Sequence, residues 1–296
     1  MRILLQLKSG YQMPALGFGT WKLSGPNAKE VVKHALAVGY RHIDTADHYG
    51  NHREIGEAIH ESGIPRQEIF LTSKVWRDSL HAQAVQSVIG RFLQELNTDY
   101  LDLLLVHWPN RDVPIAETLG AFAVAVRRGN VRSLGVSNFT IDHLREALTT
   151  GVPVSVNQVE FHPSFNQRAL KDFCDEQGIV VTAYSPIGRG ADLQLPVIKA
   201  LAQKYRRSES QIILNWLLSH NIAAIPKAAD AAHIEDNFKA LEFELTPEDL
   251  AAIDSISPNN RRLVKPLFAE FDEGGALSFS KKLFALAATY LVRSFL

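Results

Sequence analysis

The 296-residue chain has one cysteine, Cys174, and so contains no intrachain disulfide. A lone thiol fits a reducing compartment. Charge of one sign is also missing. Lys plus Arg number 31 and Asp plus Glu 32, a net charge of -1. That balance gives nucleic-acid binding no electrostatic basis. No stretch reaches the roughly 18 uncharged apolar residues of a membrane span. Ile3-Leu4-Leu5 runs at once into Gln6, Lys8 and Ser9, too short an apolar run for a signal peptide. The expected location is cytoplasmic. Hydrophobic residues at 46% and charged residues at 21% match an ordinary globular protein, which excludes collagen-like and disordered classes.

What the sequence does contain is a repeated pairing of a short apolar run with an amphipathic stretch. Strands are expected near 16–19, 42–44, 69–75, 101–107, 131–136, 154–158, 179–184 and 222–226. Helices are expected near 30–37, 54–59, 82–96, 115–127, 141–148, 169–176, 197–205, 209–218 and 234–240, with a capped helix start at Thr246-Pro247. Leu101 to His107 is almost continuously apolar, as a strand covered on both faces requires. Eight alternating units with no linker predict one closed (β/α)8 barrel over residues 1–275. Leu5 to Met13, broken by Ser9-Gly10, reads as a β-hairpin that covers the barrel bottom. An open dinucleotide-binding sheet is the alternative. Its Gly-rich fingerprint fails, because Gly17-Phe18-Gly19 is followed by Lys22 where the third Gly belongs.

Barrel chemistry gathers at the C-terminal strand ends. Those ends hold Gly19, Thr20 and Trp21; Asp44 with Tyr49 beyond it; Lys74 and Trp76; His107 and Trp108; Ser137 and Asn138; Gln158; Tyr184 and Ser185; and Lys227. A phenol of ordinary pKa about 10 needs help to exchange protons at neutrality. A lysine ammonium beside it stabilises the phenolate, and a carboxylate keeps that lysine charged. Tyr49, Lys74 and Asp44 are expected to form such a set, with His107 directing a substrate oxygen. The chemistry is protonation of a carbonyl oxygen or deprotonation of an alcohol. Trp21, Trp76 and Trp108, with His48, are expected to wall an apolar pocket.

Rival chemistries fit less well. His42, Asp44, His48 and His52 look like a metal cluster, but later strand ends add only His107, so no metal is expected. Gly135-Val136-Ser137-Asn138-Phe139 lacks the final Gly of a serine-hydrolase elbow.

These residues resemble the aldo-keto reductase family. The resemblance rests on Gly17-Phe18-Gly19-Thr20-Trp21, Asp44-Thr45-Ala46-Asp47-His48-Tyr49-Gly50-Asn51, Ser73-Lys74-Val75-Trp76, Leu105-Val106-His107-Trp108-Pro109, Gly135-Val136-Ser137-Asn138-Phe139, Asn157-Gln158-Val159-Glu160-Phe161-His162-Pro163, Ala183-Tyr184-Ser185-Pro186-Ile187-Gly188 and Ile225-Pro226-Lys227. It covers Leu7 to Asp272, and the compact loops are most similar to the bacterial 2,5-diketo-D-gluconate and methylglyoxal reductases. The resemblance implies a barrel that binds NADPH without a Rossmann domain, with NADH at lower affinity, and reduces a small carbonyl substrate. It implies Tyr49 as proton donor, tuned by Lys74 and Asp44, with His107 orienting the carbonyl. It implies that Ser137, Asn138 and Gln158 hold the carboxamide, that Tyr184 stacks on the nicotinamide, and that Ser185, Ile187 and Gly188 form the pyrophosphate loop. Gly19, Thr20 and Trp21 would line the cofactor, and Asn237 would lie near the adenine. In the phosphate clamp Lys227 is kept, but Ala228 replaces a family Ser and His233 a family Arg, with Asp230 nearby. A cofactor-binding regulatory subunit of the same fold is the second hypothesis. Residues 276–296 fall outside the resemblance and read as a basic amphipathic segment, suited to contact with the barrel, another subunit or a membrane surface.

Overall fold

In a computed structural model, residues 3–257 together with 262 and 263 are described. The segment 276–296 and the expected boundary at residue 275 lie outside those residues. The chain divides into two units, Met1–Arg261 and Arg262–Leu296, and the fold below is that of the first.

A hairpin of β1 (Leu4–Gln6) and β2 (Gln12–Pro14) comes first, antiparallel, with Leu5 opposite Met13. Eight parallel strands follow: β3 (Phe18–Gly19), β4 (His42–Asp44), β5 (Phe70–Val75), β6 (Leu101–Val106), β7 (Val131–Ser137), β8 (Val156–Glu160), β9 (Val180–Tyr184) and β10 (Ala223–Ala224). Each pairs with its predecessor in sequence order. Closure is made by the backbone. Gly17 N donates to Ala224 O at 2.9 Å, Ala224 N to Ala15 O at 2.8 Å, and Gly19 N to Pro226 O at 3.1 Å. The first and last strands therefore join, and the sheet closes on itself.

Helices cover the outside: α1 (Gly25–Val38), α2 (His52–Glu61), α3 (Ala82–Glu95), α4 (Ile115–Arg127), α5 (Ile141–Thr149), α6 (Arg168–Glu176), α7 (Pro196–Tyr205), α8 (Glu209–Ser219), α9 (Ala231–Phe238) and α10 (Pro247–Asp254). Helix α10 starts as the sequence dictates, with Thr246 accepting from Asp249 N and Pro247 at the first position. All residues of β5, β6 and β8 are buried, because side chains alternate between the barrel interior and the helix layer. That double burial explains why β6 reads as a nearly unbroken apolar run, whereas β5 and β8 give buried positions to Thr72, Ser73 and Lys74 and to Asn157, Gln158 and Glu160.

The hairpin closes the N-terminal end. Met13, Leu5 and Leu7 are buried, and Ser9 Oγ lies 2.7 Å from Ser133 Oγ near the start of β7. The opposite end is left for chemistry. Helix α9 begins at Ala231, three residues earlier than the periodicity predicts, and ends at Phe238 rather than at residue 240. Asp230 is the reason for the early start. Its carboxylate caps the helix, accepting from Ala232 N at 2.9 Å and His233 N at 3.3 Å. No helix among the described residues is long and apolar enough to cross a membrane.

Candidate active site

Asp44 ends β4, and the parallel register places Thr72 of β5 beside it. Lys74 lies two residues further along β5, on the same face. Both side chains are buried, 1% and 0% exposed. Lys74 Nζ donates to Asp44 Oδ1 at 2.5 Å, to Thr45 O at 2.9 Å and to the Tyr49 hydroxyl oxygen at 3.2 Å. Three ammonium protons thus meet three acceptors. Asp44 Oδ2 accepts from Gln158 Nε2 of β8 at 2.8 Å. The carboxylate is tied to both walls of the barrel.

Tyr49 sits on a 3-10 turn, Asp47–Tyr49, that ends at Gly50 in the left-handed region. Asn51 locks this turn to the top of β3. Its Nδ2 donates to Thr20 O and Leu23 O at 3.0 and 2.9 Å, and its Oδ1 accepts from Thr45 at 2.7 Å. Because the Tyr49 oxygen already accepts from Lys74, its own proton has no acceptor among the described residues and is free for substrate. His107 follows β6 and is held through its backbone. Its N donates to Val75 O at 3.0 Å, and its O accepts from Asn138 Nδ2 at 2.9 Å. Its ring stands edge-on to Tyr49, centroids 5.8 Å apart. Its Nδ1 is buried with no partner among the described residues.

Electrostatics separate the two. Burial, helped by the nearby Asp44 charge, pushes the Tyr49 phenol well above 10. This departs from the expectation that Lys74 lowers it. In this pocket desolvation of the phenolate outweighs the ammonium. Burial likewise pulls Lys74 down, opposed by Asp44. His107 is driven well below 6.5 by burial, by Lys74 and by His48. At neutral pH the site therefore presents a protonated phenol and a neutral imidazole. A protonated phenol can give up a proton, and a neutral imidazole can donate a hydrogen bond.

A second tier joins the later strand ends. Ser137 Oγ donates to Gln158 O at 2.8 Å, and Tyr184 OH donates to Asn138 Oδ1 at 2.8 Å. Asn138 and Ser185 both take left-handed backbone, φ 62° and 49°. That conformation is costly for a residue with a side chain, and such strain gathers at functional sites. Of the expected aromatic wall, His48 stacks on Trp76 at 4.1 Å and faces Trp21 at 6.1 Å, while Trp21 also meets Tyr49 at 4.9 Å. Trp21 is 41% exposed and Trp108 buried. The other two histidines of the metal-like cluster point elsewhere. His42 Nε2 lies 3.1 Å from Thr72 Oγ1, and His52 lies between Ser73 and Glu95.

The expected cofactor residues divide by exposure. Thr20 is fully buried with its hydroxyl on Asp44 O at 2.9 Å, so it braces β4, and Gly19 is buried beside it. Ile187 is half-buried and Gly188 buried. Lys227 and His233 are exposed, Ala228 and Asn237 buried. Three polar groups here are uncommitted among the described residues: the Gln158 amide oxygen, the Asn237 amide and the Lys227 ammonium. An amide acceptor, an amide and a cation suit a carboxamide, an adenine and a phosphate. The donor set therefore fits a nicotinamide dinucleotide. Asn51 and Thr45, which fix Tyr49 and Lys74, stand inside one of the quoted motifs, yet the sequence alone assigns them no role. Their signal is polar residues placed between strand end and helix, and only contacts disclose what they hold.

Comparison with known proteins agrees with the geometry. Residues 15–258 match the aldo/keto reductase family model. A glyoxal reductase of Bacillus subtilis (strain 168) is 40% identical over 259 residues, covering 87% of this chain and 94% of that protein. Aldo-keto reductase family 1 member A1 of Mus musculus is 38% identical over 293 residues, covering 87% and 90%. The crystal structure of a putative 2,5-diketo-D-gluconic acid reductase B superposes with a TM-score of 0.86 at 36% identity, covering 90% of this chain and 95% of that one. The chain belongs to the aldo/keto reductase family.

Proposed function

We propose that the protein reduces small aldehydes or ketones to alcohols with NADPH, using Tyr49 as the proton donor. The bound nicotinamide supplies a hydride to the carbonyl carbon. The carbonyl oxygen accepts the Tyr49 proton while His107 donates a hydrogen bond that orients it. The phenolate left behind is held by Lys74 Nζ, 3.2 Å away, whose charge Asp44 balances. The observation that carries this reading is the uncommitted Tyr49 proton above a fully paired buried lysine. A binding subunit without turnover has no use for that arrangement. The aromatic faces of Trp21, Trp76 and His48 favour compact carbonyls, and the named activities of the relatives support the same class.

Cofactor choice rests on fewer contacts. Lys227 is available to a 2′-phosphate. Asp230 is spent on the α9 N-terminus and lies 3.9 Å from His233 Nδ1, where the family has a guanidinium. NADPH is favoured by Lys227, with NADH accepted at lower affinity. The test is a panel of small aldehydes, α-ketoaldehydes and keto-sugars, read as loss of reduced-nicotinamide absorbance with each cofactor. The expected result is turnover with compact carbonyls, faster with NADPH. No oxidation of either cofactor by any carbonyl would contradict the proposal.

A further inference from the structure

Away from the Tyr49 centre lies a buried cluster of titratable groups that the reaction does not use. After β8 the chain makes a tight turn in which His162 and Phe165 exchange backbone hydrogen bonds, 3.4 and 2.9 Å. This turn directs three donors at one carboxylate, Asp192. His162 Nδ1 lies 2.8 Å from Asp192 Oδ2, Ser164 N donates to the same oxygen at 2.9 Å, and Ser164 Oγ donates to Oδ1 at 2.6 Å. On the other side of the ring, His162 Nε2 lies 3.3 Å from Glu160 Oε1. His162, Asp192 and Glu160 are all buried. An ionised carboxylate accepts only, so a ring with carboxylates at both nitrogens carries two N–H groups. Burial by itself would lower the His162 pKa, but its hydrogen bonds to Asp192 and Glu160 raise it above 6.5. Burial would raise Asp192, yet His162 and Ser164 hold it below the usual carboxylate range.

Asp192 belongs to the segment from Ser185 to Leu195 that follows β9, in which Ser185, Ile187 and Gly188 are expected to receive the cofactor pyrophosphate. Its backbone is unusual. Ser185 and Arg189 have φ of 49° and 52°, and Gly188 and Gly190 have φ of 58° and 92°. Gly188 rests directly on Asp192, since a Cβ there would stand 2.8 Å from Asp192 Cγ. Glycine takes positive φ freely, but Ser185 and Arg189 carry backbone strain there, which the surrounding contacts must hold. Ile187, Leu193 and Leu195 pack against the core, and the Asp192 carboxylate is the buried polar attachment of this stretch among the described residues.

We infer that His162 is a positioning residue that clamps Asp192 beneath Gly188 and so presets the Ser185–Leu195 turn to receive the cofactor pyrophosphate. The inference rests on the proposed use of a nicotinamide dinucleotide. The clamp acts before binding. With the turn already shaped, less ordering entropy is lost when the dinucleotide arrives. Removing the imidazole leaves a buried carboxylate short of one charged donor, and the turn loses its fixed floor.

The experiment compares wild type, His162→Ala, His162→Asn, Asp192→Asn and the His162→Ala/Asp192→Asn double variant. Asn at 162 keeps an N–H near the Nδ1 position. The first readout is the NADPH dissociation constant from fluorescence titration. His162→Ala and Asp192→Asn should each weaken binding on the order of 10-fold, the scale of one charge-assisted hydrogen bond. The double variant should be no weaker than either single, because both remove the same contact. His162→Asn should return binding to within about 3-fold of wild type, since a neutral donor recovers most of a hydrogen bond. The second readout needs no cofactor. Trypsin should cut the cofactor-free variants after the exposed Arg189 faster than wild type, with cleavage elsewhere unchanged.

Multiplicative losses in the double variant, unchanged binding in both singles, or general rather than local proteolysis would overturn the clamp. If His162→Ala does not fold, the other two singles decide. Asp192→Asn must weaken NADPH while His162→Asn does not, and the reverse order contradicts the inference. A wild type that does not bind NADPH at all fails the proposed function. A wild type that binds normally beside variants that bind equally well fails only the clamp.

Discussion

A phenol buried beside a carboxylate keeps its proton past the ordinary value of 10, and a buried imidazole facing a lysine ammonium sheds its own well below 6.5. Tyr49 and His107 are therefore pushed in opposite directions by one pocket, the pattern that the proposed acid and guide require. The sign determines a pH profile. The proposed reduction needs Tyr49 protonated, satisfied below its raised pKa, and His107 neutral, satisfied above its lowered one. With saturating NADPH, kcat for reduction should stay level from about pH 6.5 to 10. A break near about pH 7–8 in that parameter would assign the proton to a group titrating there, not to Tyr49. The residue types at this site are legible in the sequence, because four chemically matched side chains fall at or just beyond the ends of three successive strands, β4, β5 and β6. The direction of the Tyr49 pKa is not. It depends on how far burial outweighs a lysine 3.2 Å away, and no spacing rule contains that balance.

Among the elements, strand β6 announces itself, because burial on both faces goes with a nearly continuous apolar run, Leu101 to Val106 broken only by Asp102. The start of α9 does not. In sequence Asp230 reads as an acid near a phosphate clamp, and its actual partners are the first amides of the helix. The same aspartate serves either reading in one dimension, and only the backbone geometry decides. Helix contacts also make a direct stability test. Gly56 of α2 lies against the end of α3, where an added Cβ would sit 2.6 Å from Leu96 O and 2.8 Å from Leu96 Cα. Backbone cannot step aside as a flexible side chain would. Helix propensity favours Ala over Gly by about 1 kcal/mol. The clash costs more, so Gly56→Ala should destabilise by about 1–3 kcal/mol net. A Cβ added at Gly90 of α3 would meet nothing within 4 Å, and Gly90→Ala should raise Tm slightly. Thermal melts of the two variants check the pair. Equal behaviour would mean that α2 and α3 do not approach as described.

At the scale of the molecule, one end of the barrel is packed and the other is chemical. The hairpin fills the N-terminal end with Leu5, Leu7 and Met13, whereas Asp44, Lys74, His107, Ser137 and Gln158 lie at or near the C-terminal strand ends. Backbone hydrogen bonds that Gly17 and Gly19 donate to Ala224 and Pro226, and that Ala15 accepts from Ala224, close the ring that holds them in register. Pattern repetition foretells eight units, but the closing bonds involve single residues of two very short strands, too little for periodicity to register. Closure is what lets Gln158 on β8 reach across to Asp44 on β4, so the site is a property of the whole barrel.

The central claim is that this mouth reduces a carbonyl by taking its proton from Tyr49. Tyr49→Phe tests it most directly, because the ring and its contact with Trp21 remain while the hydroxyl is lost. The measurement pairs kcat for a compact aldehyde with the NADPH dissociation constant, in wild type and variant. The account predicts a loss of kcat of at least about 10²-fold, the usual contribution of a positioned proton donor, with cofactor affinity nearly unchanged. Near-normal turnover in Tyr49→Phe would contradict it.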